Sequence, residues 1–368
     1  MLLRSLFILI FGTIPAVAQQ ATTPDETARF LAGLPVRGTA LEALSRSAAW
    51  AEHATEFDKA WQKLESRQLS KIRTWGPEFF AEEYSSRSPV FYFFSGPDIL
   101  YAQAFYPNAA TYVLAGLEPV GTPPDVTQLP PEALSAALGN LRKSLNSVLS
   151  WSFFITKDMK VDLRQQQLSG TLPVLYVFLA RAGCRIERVE LVTLDKTGAL
   201  APAKNATPGV RIVFSSPTGA PQMLYYFTSD LSNEGVRSQG FTKFCDQLGE
   251  GRSLVKAASY LMHLSSFTSA RDFLLTHCTT IVQDDSGIPV KSIPTQHWAV
   301  RYFGSYPGPI DLFKQHAQPD LAAIYRKSNP PPLPFGFGYQ WQPTKSALML
   351  LTRRGSSQSS PAPNPSNP

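Results

Sequence analysis

The segment 90–119 constrains the fold more than any other part of the chain. Residues 90–94 (VFYFF) have the β-branched and aromatic composition of a buried strand. Ser95 and Asp98 follow in the S-x-x-D spacing of a capping box, with Pro97 in the first turn. A short helix is therefore predicted to start there and to end before Pro107. Residues 111–117 (TYVLAGL) read as a second apolar strand. Strand, short helix and strand in this order predict a right-handed crossover between two parallel strands.

The rest of the chain supplies the other layers. Trp50, Ala54, Phe57, Trp61 and Leu64 recur every three or four residues, and the stripe then drifts to Ile72 and Trp75. That drift predicts helices over 25–75 packed on a globular core, with no coiled coil. Helices are expected at 132–148 and at 157–159 behind Thr156. Residues 172–180 are apolar throughout, with Pro173 at the start and Gly183 after the end, which favours a buried helix over a strand. Three antiparallel strands are predicted at 189–194, 210–214 and 223–228, the last two joined by the turn 216–219. Helices at 239–248, 254–264 and 270–277 follow, the last with a Ser269/Asp272 capping box. Strands at 279–282, 298–303 and 347–351 complete the pattern.

The fold class is therefore mixed α/β: a mixed sheet with a parallel βαβ unit and an antiparallel meander, flanked by helices. No composition break marks a linker, so residues 19–354 are read as one large domain. Within it, 330–334 (PPPLP) is an extended, polyproline-like strap. Residues 355–368, rich in Ser, Pro and Asn, read as a disordered tail.

Composition agrees with a large folded unit. Of 368 residues, 43% are hydrophobic and 11% aromatic, whereas 17% are charged and only 3 are cysteine. Those counts exclude a charged disordered chain and a disulfide-dense mini-protein. The first 18 residues read as a signal peptide: Arg4, an apolar stretch over 6–14, Pro15, then Ala16-Val17-Ala18, with cleavage expected before Gln19. No other stretch approaches the ~20 apolar residues of a membrane span. A periplasmic or secreted location follows, with no membrane span after cleavage.

The mature net charge of +5 is mild, and no basic cluster interleaves with aromatics, so no nucleic acid is expected as a partner. Cys184, Cys245 and Cys278 are predicted either all free and buried or with one pair bridged.

Familiar catalytic and cofactor signatures are absent. There is no G-x-S-x-G, P-loop, G-x-G-x-x-G or H-E-x-x-H, and the five histidines are scattered, so neither a cofactor nor a metal is expected. Topology supplies the candidate region instead. Ligands of parallel α/β sheets gather outside the carboxyl ends of strands, where this chain carries Ser95, Asp98 and Glu118. If the two strands are adjacent, Asp98 and Glu118 would face a common crevice suited to general acid and base work, with Ser95 as a lesser candidate nucleophile. The competing reading is structural: Asp98 completes a helix cap and Glu118 pairs with an arginine. Lys157-Asp158 and the stretch Asp284, Asp285, Ser286 are weaker candidates, the latter read as a polar turn.

The segments 94–101 (FSGPDILY) and 112–121 (YVLAGLEPVG) resemble stretches of uncharacterised exported bacterial proteins, and the similarity extends to 157–160 and 172–175. It covers a minor part of the chain and implies an exported setting without an activity. Two functions remain open on the sequence: a protein that binds a small molecule or an envelope protein, and an exported hydrolase built on Asp98 and Glu118.

Overall fold

The computed structural model describes residues 22–151, 153 and 168–355. The stretch predicted as a signal peptide, the helix expected at 157–159 and the tail predicted from Gly355 onward fall largely outside these residues, as does the weaker candidate Lys157-Asp158. The described chain builds one nine-stranded sheet in the order β3-β4-β5-β2-β1-β6-β7-β9-β8. The strands are β1 Val90–Tyr92, β2 Thr111–Gly116, β3 Arg185–Leu194, β4 Thr207–Ser215, β5 Pro221–Thr228, β6 Gly251–Val255, β7 Cys278–Gln283, β8 Trp298–Gly304 and β9 Ala347–Arg353. Five central strands, β5-β2-β1-β6-β7, run parallel, and each edge is finished by an antiparallel pair.

The predicted crossover is present. β1 and β2 pair in parallel, Val90 opposite Tyr112 and Tyr92 opposite Leu114, with the helix Ile99–Phe105 between them in the chain. The meander β3-β4-β5 also forms, closed at 216–219 by a turn in which the Gly219 N–H donates to the Ser216 carbonyl at 2.8 Å.

Alternate side chains of the central strands enter two separate cores. Tyr92, Tyr112, Leu114 and Tyr226 point to one face, under the helices Ala48–Leu64, Ser70–Phe79, Pro131–Trp151 and Leu172–Arg181. Phe91, Val113, Ala115 and Phe227 point to the other, under Phe241–Gln247, Thr268–His277 and Pro319–Ser328. A sheet covered on both faces explains why its strands read as unbroken apolar runs. The helix 172–181 is buried along nearly its whole length because it packs against the helix Pro24–Leu31 and β3. Its start and end signals, Pro173 and Gly183 with φ 77°, decide its type where periodicity cannot.

Several expectations are corrected. The 254–264 helix does not form: Leu254 and Val255 end β6, which inserts between β1 and β7, and only a 3₁₀ turn, Leu261–His263, follows. A short buried strand and a buried helix share the same apolar signature, and partner strands decided between them. Neither capping box exists in the predicted form. Asp98 is itself the N-cap of the 99–105 helix, accepting from the Tyr101 N–H at 3.3 Å, while the Ser95 hydroxyl donates to main-chain oxygens. The 268–277 helix has no side-chain cap of its own, and Asn233 accepts its Ser269 N–H from across the fold.

All three cysteines are free and buried. Among the described residues, no helix is long and apolar enough to cross a membrane. The proline strap is anchored: Leu333, Phe335 and Phe337 are buried, and the Pro331 carbonyl accepts the Gly304 N–H at 2.7 Å.

Candidate ligand-binding cleft

The order of the parallel strands fixes where a site can form. From β1 the chain builds outward through β2 and β5, then returns to place β6 and β7 on the other flank of β1. The connections therefore diverge between β1 and β6, and a crevice is expected beyond their carboxyl ends. A cleft of about 630 Å³ lies there, bordered by Phe94 and Gly96 after β1, Gly116 to Glu118 after β2, Ser229 to Leu231 after β5 and Ala257 to Ser259 after β6. Phe94, Trp151, Phe153, Phe267, Phe313 and Tyr339 contribute rings to its wall. Leu117, Trp151 and Leu312 are 53%, 40% and 73% exposed at its rim, an unusual placement for large apolar side chains around one opening.

The structure separates the predicted site residues. Glu118 lines the cleft although only 2% exposed. β5 fixes it from below: the hydroxyls of Tyr226 and Thr228 both donate to its main-chain oxygen at 2.8 Å, and the Tyr226 hydroxyl lies 3.4 Å from Oε2. The carboxylate has room because its neighbours are glycines. A Cβ on Gly116 would collide with it and would also come within 2.9 Å of the Gly96 Cα.

Asp98 does not line the cleft. Its role as N-cap turns the carboxylate inward, where Oδ2 accepts from the Tyr92 hydroxyl at 2.9 Å and pairs with Lys256 Nζ at 3.0 Å. Lys256 also stands 3.8 Å above the centre of the Tyr101 ring. Burial pushes the Asp98 carboxyl up, against the pull of Lys256, Tyr92 and the Tyr101 amide. Among the described residues, Ser95 has neither a histidine nor a carboxylate as hydrogen-bond partner; its hydroxyl donates to the Gly96 and Ala115 carbonyls at 2.8 and 3.3 Å.

The polar turn read at 284–287 is a buried clamp. Ala257, Ser259 and Tyr260 all have positive φ, between 52° and 53°, a conformation costing about 1–3 kcal/mol for each non-glycine residue. The clamp holds this turn by its amides. Asp284 Oδ2 accepts from the Ala257 N–H at 3.1 Å, Ser286 Oγ from the Ala258 N–H at 2.8 Å, and the Tyr339 hydroxyl from the Ser259 N–H at 3.1 Å. Asp285 accepts from the Tyr260 hydroxyl at 2.6 Å. Gly338, with φ 71°, is required here because a Cβ would collide with the Asp284 carboxylate.

Burial raises both carboxyls, and the adjacent Asp284 charge adds to the rise of Asp285, to about 7. His263 packs edge-on against Tyr260, and its burial lowers its pKa to about 4.

Sequence reasoning missed Lys256 and took Asp284 and Asp285 for no more than a polar turn. The available signal was a lone lysine inside the apolar run 254–258 and a carboxylate pair directly after the apolar stretch Ile281-Val282. Among the described residues, no group of three or more His, Cys, Asp and Glu is placed to hold a metal ion.

Fold and cleft together define a mixed α/β protein with a cavity at the divergence of its parallel strands. No protein-family model, curated protein or solved structure matches the chain.

Proposed function

We propose that this is an exported binding protein of the cell envelope that takes a small molecule with a largely apolar body into the cleft at the strand ends. The ring-lined cavity of about 630 Å³ carries this reading, since its volume and apolar walls are those of small-molecule sites. Export to the periplasm or beyond is supported by the leader-like first 18 residues. The hydrolase alternative loses support from two placements: Asp98 is turned away from the cleft, and the Ser95 hydroxyl donates to main-chain carbonyls, with no base beside it among the described residues.

The test uses the full chain expressed in a secreting bacterial host. The recovered protein should begin at Gln19 and should enhance the fluorescence of the neutral probe N-phenyl-1-naphthylamine saturably, at one site. Ile310→Trp, which fills the cleft from a half-buried position, should abolish that signal without lowering the melting temperature. An unprocessed cytoplasmic product would sink the export part. Probe binding that survives Ile310→Trp would sink the cleft assignment.

A further inference from the structure

The loop between β8 and the helix Pro319–Ser328 is held differently from the strand ends around the cleft. Its two ends are tied to each other and to the body. The Tyr306 hydroxyl accepts the Gln318 N–H at 3.0 Å, Gln340 Nε2 donates to the Gly308 carbonyl at 3.1 Å, and the Gln318 side chain bridges the Val290 N–H and the Asp285 carbonyl at 2.9 Å each. A surface loop with its ends drawn together in this way is an Ω-loop, a form that is frequently functional. Between those ties, residues 309–317 make no hydrogen bond to the rest of the described chain. The Phe313 N–H donates to the Ile310 carbonyl and the Ala317 N–H to the Lys314 carbonyl, both within the segment. None of these residues is buried, although Ile310, Leu312 and Phe313 line the cleft.

Rings hold the segment down. Phe313 lies 5.1 Å from Tyr260 and 5.0 Å from Tyr339, centre to centre. His316 stacks on Tyr260 at 5.0 Å, the planes 8° apart, and meets His263 edge to face at 5.6 Å. The two tyrosines beneath are fixed: the Tyr260 hydroxyl donates to Asp285 at 2.6 Å and the Tyr339 hydroxyl to the Ala257 carbonyl at 2.9 Å. Ring contacts are separable, and lifting 309–317 breaks no hydrogen bond to the body, which is how a unit of low local stability is built. Gly308 supplies a pivot, with φ 100° and no atom within 4 Å of where a Cβ would stand.

Resting on the reading of the cleft as a binding site, we propose that residues 309–317 are a flap that opens and closes over it, pivoting at Gly308 and latched by Phe313 and His316 on Tyr260 and Tyr339. Closed, the flap supplies Ile310, Leu312 and Phe313 to the wall around the ligand. Open, it gives the ligand its way in and out. His316 is the diagnostic latch, because it is not among the residues lining the cleft.

Two measurements on the full chain test this. Trypsin should cut the folded protein after Lys314, and His316→Ala should speed that cut severalfold without lowering the melting temperature. In stopped-flow mixing with N-phenyl-1-naphthylamine, His316→Ala should raise both kon and koff at least about threefold, the effect of losing one ring contact, and leave Kd within about twofold. Phe313→Leu repeats the cleavage test should His316→Ala not fold. Cleavage at Lys314 that no latch variant accelerates overturns the flap, whatever the probe does. So does a rise in koff with kon unchanged, since that is the signature of a fixed wall. Accelerated cleavage with no binding of the probe to any form overturns the cleft reading and leaves the movement of the segment standing.

Discussion

Carboxylates near the carboxyl ends of the central strands have two different settings. Glu118 and Asp230 border an open, ring-lined cleft. Asp98, Asp284 and Asp285 lie within the protein, each held by hydroxyl or amide donors, with Lys256 paired to Asp98 and its charge also reaching Asp284. The first group faces the cleft. The second holds the backbone that shapes the cleft, because the strained turn 257–260 borders the cavity on one side and is clamped by Asp284, Asp285 and Ser286 on the other. A carboxylate at a strand end is therefore not by itself a sign of chemistry; the side to which its own backbone turns it matters more.

That division can be broken most sharply at Lys256. Lys256→Met leaves the Asp98 carboxyl buried without its ion-pair partner, a change that costs about 3–5 kcal/mol. The denaturant midpoint should fall accordingly, and adding Asp98→Asn should restore the larger part. A loss below about 1 kcal/mol would place this pair with ordinary surface ion pairs and remove the contrast.

The clamp predicts a pH dependence of smaller size. Asp285 holds its proton up to about 7 in the folded chain, against an ordinary value of 3.8, so the folded state binds more protons between those limits. Its contribution to stability is complete below about pH 4 and is lost as pH rises through 7, at about 1.4 kcal/mol per pH unit at most. His53 and His263, pushed down to about 4 by burial, act with the opposite sign below pH 6.5. The difference between Asp285→Asn and wild type cancels them. The variant should gain relative stability from pH 4 to pH 7 and then level off; a flat difference would show that the pair shares no proton.

The smallest effect is expected at the rim. Leu312 is 73% exposed, so Leu312→Ser should change stability by no more than about 0.5 kcal/mol. It should nevertheless weaken binding of the neutral naphthylamine probe by roughly fivefold, as expected when about 1 kcal/mol of apolar contact is lost. Unchanged binding would move the ligand away from the rim.

Much of this architecture was legible in the chain. The crossover over 90–116, the meander ending at Thr228 and the buried helix 172–181 were readable because each has local end signals: Pro97, Gly219, Pro173, Gly183. The cleft's position followed from the strand-end rule applied to the first two strands. What could not be read was the turn after Val255. Left-handed alanine, serine and tyrosine carry no sequence mark, and the residues that hold them, Asp284, Asp285 and Tyr339, lie 25 to 82 positions further along. The cap at Asp98 was readable as the competing structural reading, but the opposite directions of the Asp98 and Glu118 side chains were hidden. Both follow apolar strands, and only helix geometry turns one inward while two glycines leave space for the other.

The sequence by itself determined the fold class, the parallel pair β1 and β2, the absence of familiar catalytic signatures and a leader-like start, because each depends on residues near one another in the chain. Tertiary structure decided where β6 inserts, which carboxylates border the cleft and which become a clamp, and that six rings from several segments line that cleft. Those outcomes depend on strand order and on backbone direction at a few turns, and no local pattern of side chains encodes either.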